Sequence, residues 1–211
     1  KKNFEDPNVI IDRHGADALR LYLISNGVVR GESMKFKEDG IKLITQSLHI
    51  YSHNTLIFLK QMIPLYEQKY GEKFHFFEGV PHTSNLMDLM LLKYLSDFIA
   101  SIHREMEAYN LFPIVRNMVG FINQLSKTYL NMNKMRLKSM ITQIDALESL
   151  NVLFYVFRMY SLMIAPFAPF MAEYFWKELA LLKCGVSGRE YKFESVHLET
   201  LPRKLDIAST Y

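Results

Sequence analysis

Lys127, Asn131, Lys134 and Lys138 follow one another at offsets of four, three and four, a spacing that lines side chains along one face of an α-helix. Three ammonium groups and a carboxamide over about three turns can neutralise phosphates and bond the edges of bases or sugars. Arg136 lies nearby, and Asn123, Gln124 and Asn133 add donors and acceptors of the kind that read unpaired bases. If each cation meets a phosphate, counterion release makes binding fall steeply with salt. Taken alone, the same face fits plain solvation equally well.

Signals for catalysis are poor by comparison. His49 and His53 are four apart, as a metal pair on a helix would be. No cysteine, histidine or helix-placed carboxylate supplies an obvious third ligand, so two partly exposed histidines are the better reading. There is no phosphate-cradling glycine loop, and no serine has the flanking glycines of a nucleophile elbow. Cys184 sits beside Lys183 in a loop and reads as a bystander thiol.

The element that must carry the cationic face is Leu111 to Lys138. Val115, Met118, Ile122, Leu125, Tyr129 and Met132 form an apolar stripe at helical spacing, and Pro113 fits the first turn. Three further long helices surround it in sequence. One keeps helical spacing from Lys37 to about Ile63, where Pro64 disfavours continuation. One runs from Asn85, a plausible N-cap with Asp88 in the first turn, to Tyr109. One runs from about Ile144 to Ile164, and Pro169 begins a shorter fifth helix to Leu182. Before these, Asn8 to Ile11 reads as a short strand and Gly15 to Ile24 as a short helix with an Asp17–Arg20 pair. Tyr66 to Ser84 reads as a loop, with a hairpin around Phe74 to Phe77, and Tyr191 to Leu198 as a short strand. The expected fold is mainly α: a small mixed α/β region over residues 1–64, a connector over 65–84, an antiparallel helical bundle over 85–182, and a C-terminal loop, strand and tail over 183–211.

Composition agrees. The chain has 211 residues, 49% apolar and 22% charged, enough to bury a real core. Nine glycines and seven prolines are few for an all-β design. A net charge of +3 does not by itself indicate a nucleic acid. A single cysteine excludes an internal disulfide framework and fits a reducing compartment. The longest apolar run, Val152 to Phe170, carries Arg158 and two prolines, so no membrane span is expected. Lys1-Lys2-Asn3 reads as the cut edge of a larger protein.

Several stretches then point to one family. KKNFEDP, RHGADALRLYLISNGVVRGESMKFKEDGI, YLNMNKMRLK, LMIAPFAPFMAE and ESVHLETLP occur in that order over nearly the whole chain. Together they resemble the C-terminal part of class I aminoacyl-tRNA synthetases of the isoleucyl, valyl and leucyl group, most closely the cytosolic isoleucyl type. GADALRLYL with VVR and MIAPFAPFMAE are specific to the group, and VVRGESMKFKEDGI and MNKMRLK favour the isoleucine member. The resemblance implies a stem-contact region over residues 1–64, an anticodon-binding bundle over 85–182, and a cytoplasmic parent enzyme that uses ATP. The fragment itself would hold no cofactor and no metal, and would have no catalytic residue. Its partners would be the tRNA anticodon arm and the catalytic domain of the same polypeptide. Lys127, Lys134, Arg136 and Lys138 would meet phosphates, and Asn123 and Asn131 bases or sugars. Two departures stand out on this helix: Thr128 replaces an aromatic residue and Asn131 an arginine. Met90 replaces a tryptophan elsewhere. The alternatives left open are a valyl or leucyl enzyme, and a bundle that binds no nucleic acid.

Overall fold

The computed structural model describes residues 6–77, 79–182 and 194–203. The first helix, α1 (Pro7–His14), covers the stretch expected as a strand. Asp6 accepts from the Asn8 N–H and Pro7 occupies the first turn, so cap and proline start a helix in spite of the β-branched run Val9-Ile10-Ile11. No strand forms among the described residues. The second expected strand, 191–198, lies partly outside them, and its described end is a single 3₁₀ turn, Val196–Leu198.

Helices α2 (Ala16–Ile24) and α3 (Glu38–Ile44) follow, and with α1 they enclose a small core of Ile10, Tyr22 and Ile41. The chain then passes through a π-helical turn, Thr45–Ile50, straight into α4 (Tyr51–Tyr70). Pro64 does not end this helix. It is exposed, so the Lys60 carbonyl that loses its partner can meet water, while Met62, Ile63 and Tyr66 are buried on the inner face. Apolar burial outweighs the lost bond, and Gly71, left-handed at φ 70°, closes the helix. The expected hairpin near Phe74 is instead an extended insert. Phe74 and Phe76 are buried against Phe154, and Asn151 Oδ1 accepts from the Phe77 N–H.

Helix α5 (Leu86–Glu107) begins at the expected cap, with Asn85 Oδ1 accepting from the Met87 N–H. It turns back through Tyr109 into α6 (Phe112–Asn123). A second π-helical turn, Gln124–Tyr129, leads to the short helices α7 (Leu130–Met132) and α8 (Lys134–Leu137). Helix α9 (Gln143–Ile164) is capped by Thr142 and followed by α10 (Pro169–Leu181). By length and composition α9 could cross a bilayer, but it is the central helix of the bundle and nearly all of it is buried.

Side-chain pairs set the helix directions. Ser52 meets Tyr160, and Lys60 meets Glu178. Lys127 meets Tyr51, and Arg136 meets Asp88 and Asp145. Helices α4, α6 and α10 therefore run one way, and α5 and α9 the other. Residues from α4 share a single continuous core with those of α5, α6, α9 and α10, so this core extends across the 65–84 connector. The N-terminal unit meets it through Leu21 and Ile24, which pack into this core, through Arg30, whose guanidinium lies 4.2 Å from the centre of the Phe112 ring, and at α10. Asp17 and Arg20, expected as a helical pair, both reach the bundle: Asp17 Oδ2 accepts from the Met171 N–H, and Arg20 donates to the Pro166 and Phe167 carbonyls. Ser195 Oγ and the Val196 N–H donate to Glu173, so the Ser195–His197 turn clasps α10.

Candidate nucleic-acid interface

The stripe that begins α6 is buried at Val115, Met118, Ile122, Leu125 and Tyr129, but not at Met132. The inward position moves to Asn133, and then to Arg136 and Leu137. Asn133 and Arg136 follow Tyr129 by four and seven residues, the stripe's own spacing, so the inner face runs on through the break at Asn133 and Met132 falls just outside it. The amide side chains stabilise this geometry. Asn131 Nδ2 donates to the Lys127 carbonyl and Asn133 Nδ2 to the Tyr129 carbonyl. Thr128 donates to Gln124 Oε1.

On the outer side, residues 126–138 run alongside α4 and leave an open groove of about 480 Å³. Asn131, Lys134 and Lys138 line one wall with Ser126, and Asn54, Phe58 and Gln61 of α4 line the other. Tyr51 closes one end, and Lys127 places its Nζ 4.5 Å from the centre of the Tyr51 ring. Neither Lys134 nor Lys138 is paired with a carboxylate among the described residues. The groove thus combines exposed ammonium groups, three carboxamides and two aromatic rings. Ammonium groups attract phosphate, carboxamides can bond base edges, and flat rings can take a stacked base. Sequence reasoning missed the α4 wall. Its signal was the spacing of Asn54, Phe58 and Gln61, four and then three apart on one helical face.

Two expected site residues lie elsewhere. Asn123 is half-buried and outside the groove, with its Oδ1 enclosed by protein. Arg136 points inward and requires correction: its guanidinium is not free for a phosphate. Its Nη1 and Nη2 each donate to a different oxygen of Asp88, at 2.8 Å, in a two-pronged pair. Its Nε donates to Asp145 Oδ1 at 2.5 Å, and Nη1 also reaches Asn133 Oδ1. Asp88 is fully buried and takes two more bonds, from the Tyr129 and Thr83 hydroxyls. Burial works against the charge on Arg136, but the bonds to Asp88 and Asp145 outweigh it and raise its pKa. Burial, and then the Asp88 charge, push the Tyr129 phenol well up, so it remains a donor. The sequence did hold a clue. Arg136 lies seven residues after Tyr129 and fourteen after Ile122, on the stripe rather than on the lysine face.

No group of three or more potential metal ligands occurs among the described residues. His49 is exposed at the surface, but desolvation by its neighbours, and then the adjacent His53, lower its pKa, and His53 stacks on Tyr174. Cys184 and Lys1-Lys2-Asn3 lie outside the described residues.

Residues 88–210, more than half of the chain, match the family model described as the anticodon-binding domain of tRNA ligase. The chain belongs to this family. Curated proteins similar to this anticodon-binding-domain chain include the cytoplasmic isoleucine–tRNA ligases of Schizosaccharomyces pombe and of Mus musculus. The first is 34% identical over 95% of this chain and 19% of its own length. The second is 35% identical over 96% of this chain and 16% of its own. The chain therefore spans about a fifth of the length of the relatives it matches. The fold is shared with the Agrobacterium radiobacter K84 agnB2 LeuRS, solved as a ternary complex with tRNA and LeuAMS. The match has a TM-score of 0.61 and 16% identity, over 95% of this chain and 21% of that one.

Proposed function

We propose that this chain is the tRNA-binding part of a cytoplasmic isoleucine–tRNA ligase, and that it grips the anticodon arm through the groove between α4 and residues 126–138. The observation that carries the reading is the meeting of Asn131, Lys134 and Lys138 with Asn54, Phe58 and Gln61 in one open groove. Lys134 and Lys138, with Lys127 at the rim, neutralise backbone phosphates. Asn54, Gln61 and Asn131 bond base or sugar edges, and Tyr51 and Phe58 offer flat faces in place of the ring missing at Thr128. Isoleucine is favoured over valine or leucine by the names of the relatives at about one-third identity. In this reading the parent enzyme activates isoleucine with ATP in a catalytic domain of the same polypeptide. The present piece then holds the far end of the tRNA, so that the acceptor end reaches that domain.

A titration with isoleucine tRNA and with a DNA hairpin of equal length, over a range of salt, tests this. The wild-type chain should prefer the tRNA. Replacing Lys134 and Lys138 with alanine should lower affinity and flatten the log–log salt slope by about 0.7 per lysine, the single-strand value. Unchanged tRNA affinity at low salt in the double variant would overturn the assignment of these lysines.

A further inference from the structure

A cleft of about 590 Å³ opens where three parts of the chain meet: the corner between α1 and α2, the π-helical turn that leads into α4, and the start of α10. It shares no residue with the lysine groove. Its size falls in the range of small-molecule sites, roughly 300–1,000 Å³, which favour the joints between units. Its inner wall is apolar, with Leu21 and Leu48 buried and Ala18 and Ile44 partly so. Such a wall takes the body of an organic molecule in preference to water. Phe170 and Tyr174 also line the cleft but are exposed, so their rings stand at its mouth. Tyr174 is steadied by its stack on His53, with ring centres 6.0 Å apart.

The charge of this cleft is one-sided. Among the described residues no lysine or arginine lines it, whereas Asp17 does. Asp17 Oδ2 accepts from the Met171 N–H, but Oδ1 is enclosed and makes no hydrogen bond among the described residues. Burial raises the Asp17 pKa against the easing effect of the Met171 N–H, of Arg20 and of the Phe170 N–H. Arg20 spends its guanidinium on the Pro166 and Phe167 carbonyls, and His14 is engaged with Glu38 at 2.7 Å. His49 is neutral at pH 7.5, since desolvation, and then the His53 charge, lower its pKa. A carboxylate with an unsatisfied oxygen behind an apolar wall attracts positive charge, because little water screens its field. Aromatic faces at the opening do the same. Phosphates and carboxylates are repelled by both.

We propose that this cleft binds a small organic monocation, an ammonium group on an aromatic or branched apolar body. The body lies against Leu21, Ile44 and Leu48, and the ammonium sits between the Tyr174 ring and the Asp17 side of the cleft. The inference stands on the cleft alone and does not depend on the RNA-binding reading. Because the walls come from three separate segments, the ligand binds only when α2 is docked on α10. It therefore stabilises that joint by mass action and gives the chain a small-molecule control over how its two units are held.

Three probes with one body and different charge test this: 2-phenylethylamine, 2-phenylethanol and 3-phenylpropionate. Each is titrated into the full 211-residue chain at pH 7.5 and followed by the backbone amide signals in two-dimensional NMR. The amine should bind with a Kd of about 1 mM, as suits so small a ligand. Its shifts should centre on Ile44, Leu48 and Met171. It should bind about tenfold more tightly than the alcohol, and the acid should bind most weakly. Tyr174→Ala, at an exposed position, should weaken the amine about fivefold and the alcohol less. Asp17→Asn keeps an acceptor for the Met171 N–H and should bring the amine down to the affinity of the alcohol. The proposal is overturned if the wild type binds the alcohol or the acid as tightly as the amine. Shifts centred away from the cleft, or no binding of the amine at about 10 mM, overturn it as well. Should Asp17→Asn fail to fold, Tyr174→Ala and the order of the three probes on the wild type decide.

Discussion

Lys134 and Arg136 are two residues apart, yet one opens into the groove and the other is sealed against Asp88. Their environments reverse what charge alone suggests. Lys134 has water on it and no carboxylate partner among the described residues, so its charge is free to act on something else. Arg136 is 6% exposed, and its fork is spent on two carboxylates and an amide. The lesson is that a cationic stretch divides by direction into a binding part and a structural part. In this segment helical spacing decides the direction: Arg136 follows the buried Tyr129 by seven residues, on the same face, and Lys134 by five, off it.

The contrast can be broken most severely at Arg136. Arg136→Ala leaves Asp88 buried and unpaired and should cost about 3–5 kcal/mol, read as a drop in the urea midpoint. A loss below about 1 kcal/mol would mean that the clamp is not what holds the segment. Arg136→Lys keeps the charge but not the fork. It should fall between the alanine variant and the wild type. Tyr129→Phe removes one hydroxyl from Asp88 and should cost roughly 1–3 kcal/mol, because that bond goes to a buried charge. Lys134→Ala with Lys138→Ala should change stability by no more than about 0.5 kcal/mol while weakening RNA binding, the opposite pattern to Arg136. A histidine on neither face gives the smallest signal. The folded chain holds the His49 pKa below its ordinary 6.5, so the unfolded chain binds more protons just below that pH. Stability from His49 is therefore present above pH 6.5 and is lost as pH falls below it. The urea midpoint should drop between pH 7.5 and 5.5, and His49→Gln should reduce the drop.

The long helices were legible because their signals are local. The Asn85 cap, the start of α10 at Pro169 and the stripe from Val115 to Tyr129 all appear where spacing placed them. Where two local signals compete, the sequence misleads. The β-branched residues Val9 to Ile11 suggest a strand, but the Asp6 cap and Pro7 override them. Pro64 suggests an end, but the burial of Ile63 and Tyr66 keeps α4 going. Half of the groove was legible, its lysine wall. The wall from α4 was not, because nothing local says which helix lies opposite. The two-pronged partner of Arg136 is likewise unreadable from its neighbourhood, since Asp88 is 48 positions away.

The bonds from Asp17 and Arg20 to the start of α10 join residues 146 to 154 positions apart. During synthesis, which proceeds from the N-terminus, α2 emerges long before its anchor exists. In that interval the N-terminal helices are sheltered by the small core of Ile10, Tyr22 and Ile41 and by their packing on the earlier bundle helices through Leu21 and Arg30. Arg30 can pack on Phe112 once α6 has emerged, whereas the Asp17 and Arg20 bonds must wait for α10. A truncation ending before Pro166 would leave Asp17 and Arg20 without these partners and uncover the face of α9 that packs Phe157 on Phe175, which would make such a product a substrate for chaperones rather than a smaller working domain.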